Sequence, residues 1–280
     1  MIISQKLPIK KDDVSVIKKQ DQSVAVSALG SPTSGKTRIH ALDEIRGFAV
    51  FCMIFYHAFY SMAYLFSIDW GETLLLFFMP LEPFFAGLFI LISGISSDFS
   101  RANLKRGVKL FFIAMLVSGI TIVLFEDQRI LFGILHMLSI SMIVFGLFQK
   151  QFEQIETKIG LIVCAALFVL TIPVNQGFFG IAPFGGISIP KTLYQLDFLY
   201  PFGIYNHKFY SSDYFPLFPW MFLFLFGTFL GRCFQRGCYP SWMNRSNLPV
   251  FSFLGRHALF CYLLHQPVIY GVLWIIELFF

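Results

Sequence analysis

The feature that most constrains this chain is the recurrence, from Arg46 to the C-terminus, of apolar stretches about 20 residues long. Wound as a helix at 1.5 Å per residue, such a stretch matches the ~30 Å hydrocarbon core of a bilayer. The stretches fall near 47–66, 74–96, 107–125, 130–149, 158–175, 214–233 and 250–274. In lipid every backbone polar group must be satisfied internally, which makes each stretch a helix. The expected fold is all-α, a polytopic membrane helix bundle of about seven transmembrane helices, with membrane lipid as its main solvent. Composition agrees: 13% of residues are charged, about half the level of soluble domains. The seventh stretch exceeds one bilayer thickness and calls for tilt or an interfacial end.

Basic residues sort to the cytoplasmic side of membrane helices. With the N-terminus inside, all of the 21 Lys and Arg except Arg129, Lys191 and Lys208 lie in the tail or on the inner loops. The expected topology is N-in, C-out, in the cell membrane as a multi-pass protein. The formal charge of +5 is then a product of membrane sorting, and no nucleic acid partner is implied. Residues 1–38 read as a disordered cytoplasmic tail and 39–280 as one transmembrane domain.

The tail carries "GSPTSGKT", Gly30 to Thr37, which fits the phosphate-binding pattern G-x-x-x-x-G-K-[ST]. That loop works only between a buried strand and a helix whose N-terminus faces the anion. Here a polar tail precedes it and "RIHALDEIRG" follows, leaving no room for the sheet. Nucleotide binding at Lys36 is not expected. Of five Cys, Cys52, Cys164 and Cys261 sit in apolar stretches as small hydrophobes. Cys233 and Cys238 lack the closely grouped partners of a structural zinc site. Neither a metal nor a disulfide framework is expected.

Ionisable groups within membrane stretches are costly and are functional candidates by default. Four stand out: His57, Glu82, His136 and His265. At 1.5 Å per residue all four come to roughly 16–22 Å from the inner face, one layer slightly outward of the midplane. A membrane histidine can instead hold two helices together through a carbonyl. Glu82 lies between Pro80 and Pro83, so its helix is expected to be interrupted, and it serves either as an acid–base group or in packing.

At the inner mouth Asp43 and Arg46 stand one helical turn apart and can pair. Arginine's planar donor fork suits phosphate. Arg256, with His257, enters at the matching end of the last stretch, and Arg106 and Lys109 at that of the third. Together they form a candidate basic vestibule for an anionic cofactor, although sorting alone produces similar clusters. The outer segment 176–213 is long and rich in Gly and aromatics. Such a loop is usually functional, and its aromatics suit either sugars or interfacial anchoring. His207 reads as solvated, and Asp213 as an N-cap for the helix that follows.

"LDEIRGFAVFCMIFYH", "FGILHMLSISMI", "DYFPLFPWMFLFLFGTFLGR" and "LGRHALFCYLLHQPV" occur in the order and spacing of a known membrane family. From about Arg38 onward the chain resembles the bacterial branch of the heparan-alpha-glucosaminide N-acetyltransferase catalytic-domain family. The resemblance implies a multispan acyltransferase that takes acetyl from acetyl-CoA inside and delivers it to an amino sugar outside. Asp43, Arg46 and Gly47 match the first signature. His57 stands where the lysosomal members have an asparagine implicated in activity, His136 where they have glutamine, and His265 matches a histidine. The lysosomal members carry a catalytic histidine in the loop after the first span; this chain reads "FSIDWGE" there, with no histidine.

The resulting expectation is an acetyl-CoA-dependent O- or N-acetyltransferase acting on an extracytoplasmic sugar or glycan acceptor. His57 would be the general base, with His136 or His265 orienting it or donating to the oxyanion. Arg46, Asp43, Arg256, Arg106 and Lys109 would receive the coenzyme. The alternative is a proton-coupled transporter or flippase of an envelope component, although the halves show no inverted repeat. A homo-oligomer is left open.

Overall fold

A computed structural model describes residues 38–181 and 184–279. The "GSPTSGKT" motif, Lys36 and nearly all of the tail read as disordered lie outside the described residues. The apolar stretches are mainly helical, and among the described residues six helical segments are long and apolar enough to cross a membrane. They are α1 (His40–Tyr64), α2 (Asp69–Phe78) running into α3 (Glu82–Asp98), α4 (Asn103–Leu124), and α7 (Thr157–Thr171) with its continuation to Gln176. The last two are α8 (Leu217–Gln235) and α10 (Ala258–Phe279). Between them lie α5 (Ile134–Leu147), α6 (Gln149–Gln154), a hairpin of β1 (Phe178–Ile181) and β2 (Gly185–Ser188), and α9 (Pro249–Arg256).

Two features differ from the seven-span reading. The fourth stretch forms only the 14-residue α5, about 21 Å long and short of the ~30 Å core. It is buried on nearly every side, so its apolar character reflects protein neighbours more than lipid. The seventh stretch is two helices, broken at His257 (φ −106°, ψ 21°). The expected interruption beside Glu82 is present as a tight turn, Met79–Leu81. Pro80 and Pro83 cannot donate backbone hydrogen bonds to a continuous helix there.

With little hydrophobic drive between helices in lipid, close backbone approach supplies the packing. At the α1–α9 crossing, a Cβ on Gly47 would lie 1.9 Å from the Phe251 carbonyl oxygen, and one on Gly255 would lie 1.8 Å from that of Asp43. The α3–α8 crossing repeats the device at Gly94 and Gly227. Phe145, Phe224 and Phe229 are fully buried between α5, α7 and α8.

Polar groups seal the two ends of the bundle. At the end carrying Arg46, buried Glu44 accepts from the backbone N–H groups of Asn247 (2.7 Å) and Leu248 (2.9 Å), fixing the approach to α9. Arg232 donates to the carbonyls of Ile155 and Phe152. At the opposite end a single bridge pairs Phe132 with Tyr214, drawing the segment before α8 against the start of α5.

Candidate functional site

The sequence places His57 on α1 and His265 on α10, the first and last membrane helices. Their rings meet, with centroids 4.9 Å apart and planes tilted by 49°. Both line a cavity of about 460 Å³ enclosed by α1, α4, α10 and the segment before α8. Its volume is in the range of small-molecule sites. Tyr56, Tyr60, Thr121, Asp213, Tyr262 and Gln266 supply polar atoms to walls that are otherwise apolar. The cavity occupies the half of the bundle away from Arg46, about eleven residues up α1, or ~16 Å by helical rise.

Hydrogen-bond partners fix the ring tautomers. His265 Nδ1 lies 2.5 Å from the Tyr262 carbonyl oxygen, one turn back on α10. A carbonyl only accepts, so Nδ1 carries the proton and neutral His265 keeps its lone pair on Nε2. That Nε2 is buried and has no hydrogen-bond partner among the described residues. His57 is held the opposite way. The Ser61 hydroxyl donates to Gln266 Oε1 (3.4 Å), and Gln266 Nε2 donates to His57 Nδ1 (3.3 Å). Neutral His57 therefore carries its proton on Nε2. The pair thus offers one basic nitrogen and one N–H donor on neighbouring rings.

Ser61 stands four residues after His57, so both lie on one face of α1. Gln266 follows His265 directly, and Pro267 then interrupts the hydrogen-bond ladder of α10. None of these partners was singled out from sequence; the available signal was polar side chains at helical spacing from a candidate histidine.

Asp213 is the second finding. Its expected role was to cap α8, but its carboxylate turns to other elements. Oδ2 accepts from the Tyr262 hydroxyl (2.7 Å) and from the Ile134 N–H at the start of α5 (3.2 Å). Asp213 thereby caps α5 and ties α10 to it. Burial raises its carboxyl above the usual carboxylate range, while the Tyr262 hydroxyl and the Ile134 N–H pull partly the other way.

His136 is brought to the same region but not into the cavity. Its Nδ1 accepts from the Gly133 N–H (3.3 Å), Nε2 faces the Ser118 hydroxyl (3.4 Å), and Phe132 stacks on the ring. Both nitrogens are engaged in closing the N-terminus of α5, and the ring is 3% exposed as a residue. Glu82 begins α3 beyond the Pro80 turn and is half-buried outside the cavity lining.

The basic residues at the other end divide into two groups. Arg46 pairs with Asp43 at 3.5 Å and donates to the Ser96 hydroxyl, spanning α1 and α3. Arg256 closes the adjoining α9 and stays exposed, its Nε donating to the Ser252 carbonyl. Arg106 and Lys109 are exposed on α4, which packs chiefly on α5. Asp43, Arg46 and Arg256 are thus neighbours through the α1–α9 crossing, whereas Arg106 and Lys109 stand on another wall.

The family described as heparan-alpha-glucosaminide N-acetyltransferase, catalytic, matches residues 38–267. That range contains α1 through the His265–Gln266–Pro267 run of α10. No curated protein and no solved structure matches the chain.

Proposed function

The chain belongs to this membrane acetyltransferase family, and on that premise we propose that it moves an acetyl group from cytosolic acetyl-CoA to a hydroxyl or amine of an extracytoplasmic sugar or glycan in the cell membrane. One observation carries the reading: two histidines from opposite ends of the sequence share a cavity, with a lone pair on one ring and an N–H on the other.

In this reading His265, rather than His57, is the general base. Its Nε2 takes the proton of the acceptor hydroxyl or amine as that atom attacks the thioester carbonyl. The carbonyl oxygen gains negative charge, and the His57 Nε2–H is the donor that meets it. Gln266 and Ser61 hold His57 in the tautomer this needs. Collapse of the tetrahedral species expels the coenzyme A thiolate, and the proton on His265 is returned to it. Histidine suits both tasks because its proton affinity lies near working pH.

Asp43, Arg46 and Arg256 would receive the phosphates of coenzyme A, with the pantetheine arm covering the ~16 Å of helical rise from Arg46 to His57. Arg106 and Lys109 would add longer-range attraction. His136 would fix the start of α5, and Glu82 would serve packing at the Pro80 turn. The reading is tested by mass spectrometry of envelope glycans and lipids from cells with and without the gene. Loss of one acetylated species in its absence supports it. Identical acetylation in both strains contradicts it.

A further inference from the structure

Residues 175–208 of the segment between α7 and α8 and the adjoining faces of α3 and α8 take no part in the chemistry above, yet they line two adjoining cavities. The first is an apolar groove of about 670 Å³, walled by Phe84, Leu88, Leu91, Phe168, Trp220 and Leu223. It follows α3 from Pro83 to Leu91, about 12 Å of helical rise. Gly87 forms part of its floor, where a Cβ would meet only the side chains of Leu223 and Trp220. Phe84 and Ile172 at its mouth are 63% and 48% exposed, so the groove opens sideways from the bundle.

The second cavity, about 1060 Å³, lies in the loop beyond the helix ends and has the polar side chains of Gln176, Lys191, Tyr194, Gln195, Asn206 and Lys208 in its lining. Asn175 and Tyr205 line both cavities, so the apolar groove and the loop cleft adjoin at these two residues. It is distinct from the histidine cavity. Asp213 lines that one and its neighbour Tyr214 lines the groove, which makes the segment before α8 the partition.

Only an amphiphile fits both halves. The groove is lined by hydrocarbon and lies within the depth of membrane helices, so it takes a lipid chain. The cleft brings two lysines against one carboxylate, Asp197, which already accepts from Asn206 Nδ2 at 2.7 Å. The surplus of positive charge calls for an anion at the head of that chain. Amide side chains, together with the rings of Tyr194 and Tyr205, match the hydroxyls and apolar faces of a sugar. We propose that the adjoining cavities bind a lipid-linked sugar phosphate, with its chain in the groove, its phosphate beside Lys191 and Lys208, and its sugar against Tyr194 and Tyr205. The proposal does not depend on acetyl transfer.

The test measures binding, not turnover. Full-length protein in phosphatidylcholine nanodiscs is titrated with citronellyl phosphoryl-glucose, with citronellyl phosphate, and with glucose 1-phosphate. Joining head and chain should make the first at least ~10-fold tighter than either part. Leu223→Trp, which fills the groove, should weaken both citronellyl compounds and leave glucose 1-phosphate unchanged. The exposed pair Lys191→Gln and Lys208→Gln, remote from the helix core, should weaken all three. Glucose 1-phosphate binding as tightly as the full amphiphile would overturn the proposal. So would citronellyl phosphate doing so, or affinities indifferent to both sets of changes with the thermal midpoint unaltered.

Discussion

His57 Nδ1 accepts from the Gln266 amide at 3.3 Å, a contact between the first and last membrane helices that leaves the proton of neutral His57 on Nε2. The His265 Nε2 lone pair, by contrast, is buried without a hydrogen-bond partner among the described residues. His57→Gln keeps a donor and should lose less activity than His57→Ala. Removal of one oxyanion donor typically costs ~10²–10³-fold in kcat. The comparison is made by steady-state kinetics on protein checked for thermal stability in detergent. Equal loss in both variants would return His57 to the role of base.

Gln266 and Ser61 form one chain of donors, so their effects should not add. Gln266→Leu and Ser61→Ala together should cost little more than Gln266→Leu alone. A double-mutant cycle on kcat/KM should give a coupling of about 0.5–3 kcal/mol. Additive losses would show that Ser61 does not act through Gln266.

Asp213 makes stability depend on pH. Its raised carboxyl holds a proton more tightly in the folded state than in the unfolded chain. The stabilisation is therefore complete below the ordinary carboxylate pKa, about 3.9, and is lost as pH climbs through the raised value. The thermal midpoint of the natural protein minus that of Asp213→Asn should fall as pH rises from ~4 toward neutrality. A difference that stays flat would contradict the burial argument.

The α1–α9 crossing has no room for side chains. Gly255→Val drives new atoms into the Asp43 carbonyl and should abolish folding or cost more than about 3 kcal/mol. Gly119 on α4 has nothing within 4 Å of its Cβ direction, so Gly119→Ala should be neutral or stabilising by up to ~1 kcal/mol. Detergent melting curves of the two variants separate the cases.

These contacts also mark where sequence reading stops. The membrane stretches, the break at Pro80 and the depth shared by His57 and His265 follow from local pattern, because periodicity and hydropathy act over a few turns. The break at His257 does not, since it stands beside the long-range contact of Gly255 with α1. The 14-residue α5 looked long enough to span because hydropathy cannot separate burial in lipid from burial in protein. Asp213 looked like a local cap because Ile134, its actual partner, lies 79 positions away. The tautomers of the two histidines were equally hidden, being set by Gln266 and by a carbonyl one turn away.

Arg46 already spans Asp43 and Ser96, a geometry that uses its planar fork. Arg46→Lys keeps the charge but cannot hold both partners while facing a phosphate. It should raise the apparent KM for acetyl-CoA with a smaller change in kcat. Kinetics equal to those of the natural protein would reduce Arg46 to a sorting signal.

The most direct test of the central claim is coenzyme A release from acetyl-CoA by purified protein in nanodiscs, compared between the natural chain and His265→Ala. The pairing of His57 and His265 across one cavity predicts turnover in the natural protein, with an acceptor sugar present. In His265→Ala it predicts a fall of roughly 10²–10⁴-fold, the usual worth of a positioned acid–base group, with acetyl-CoA binding retained. Unchanged turnover in a His265→Ala protein that melts at the natural temperature would contradict it.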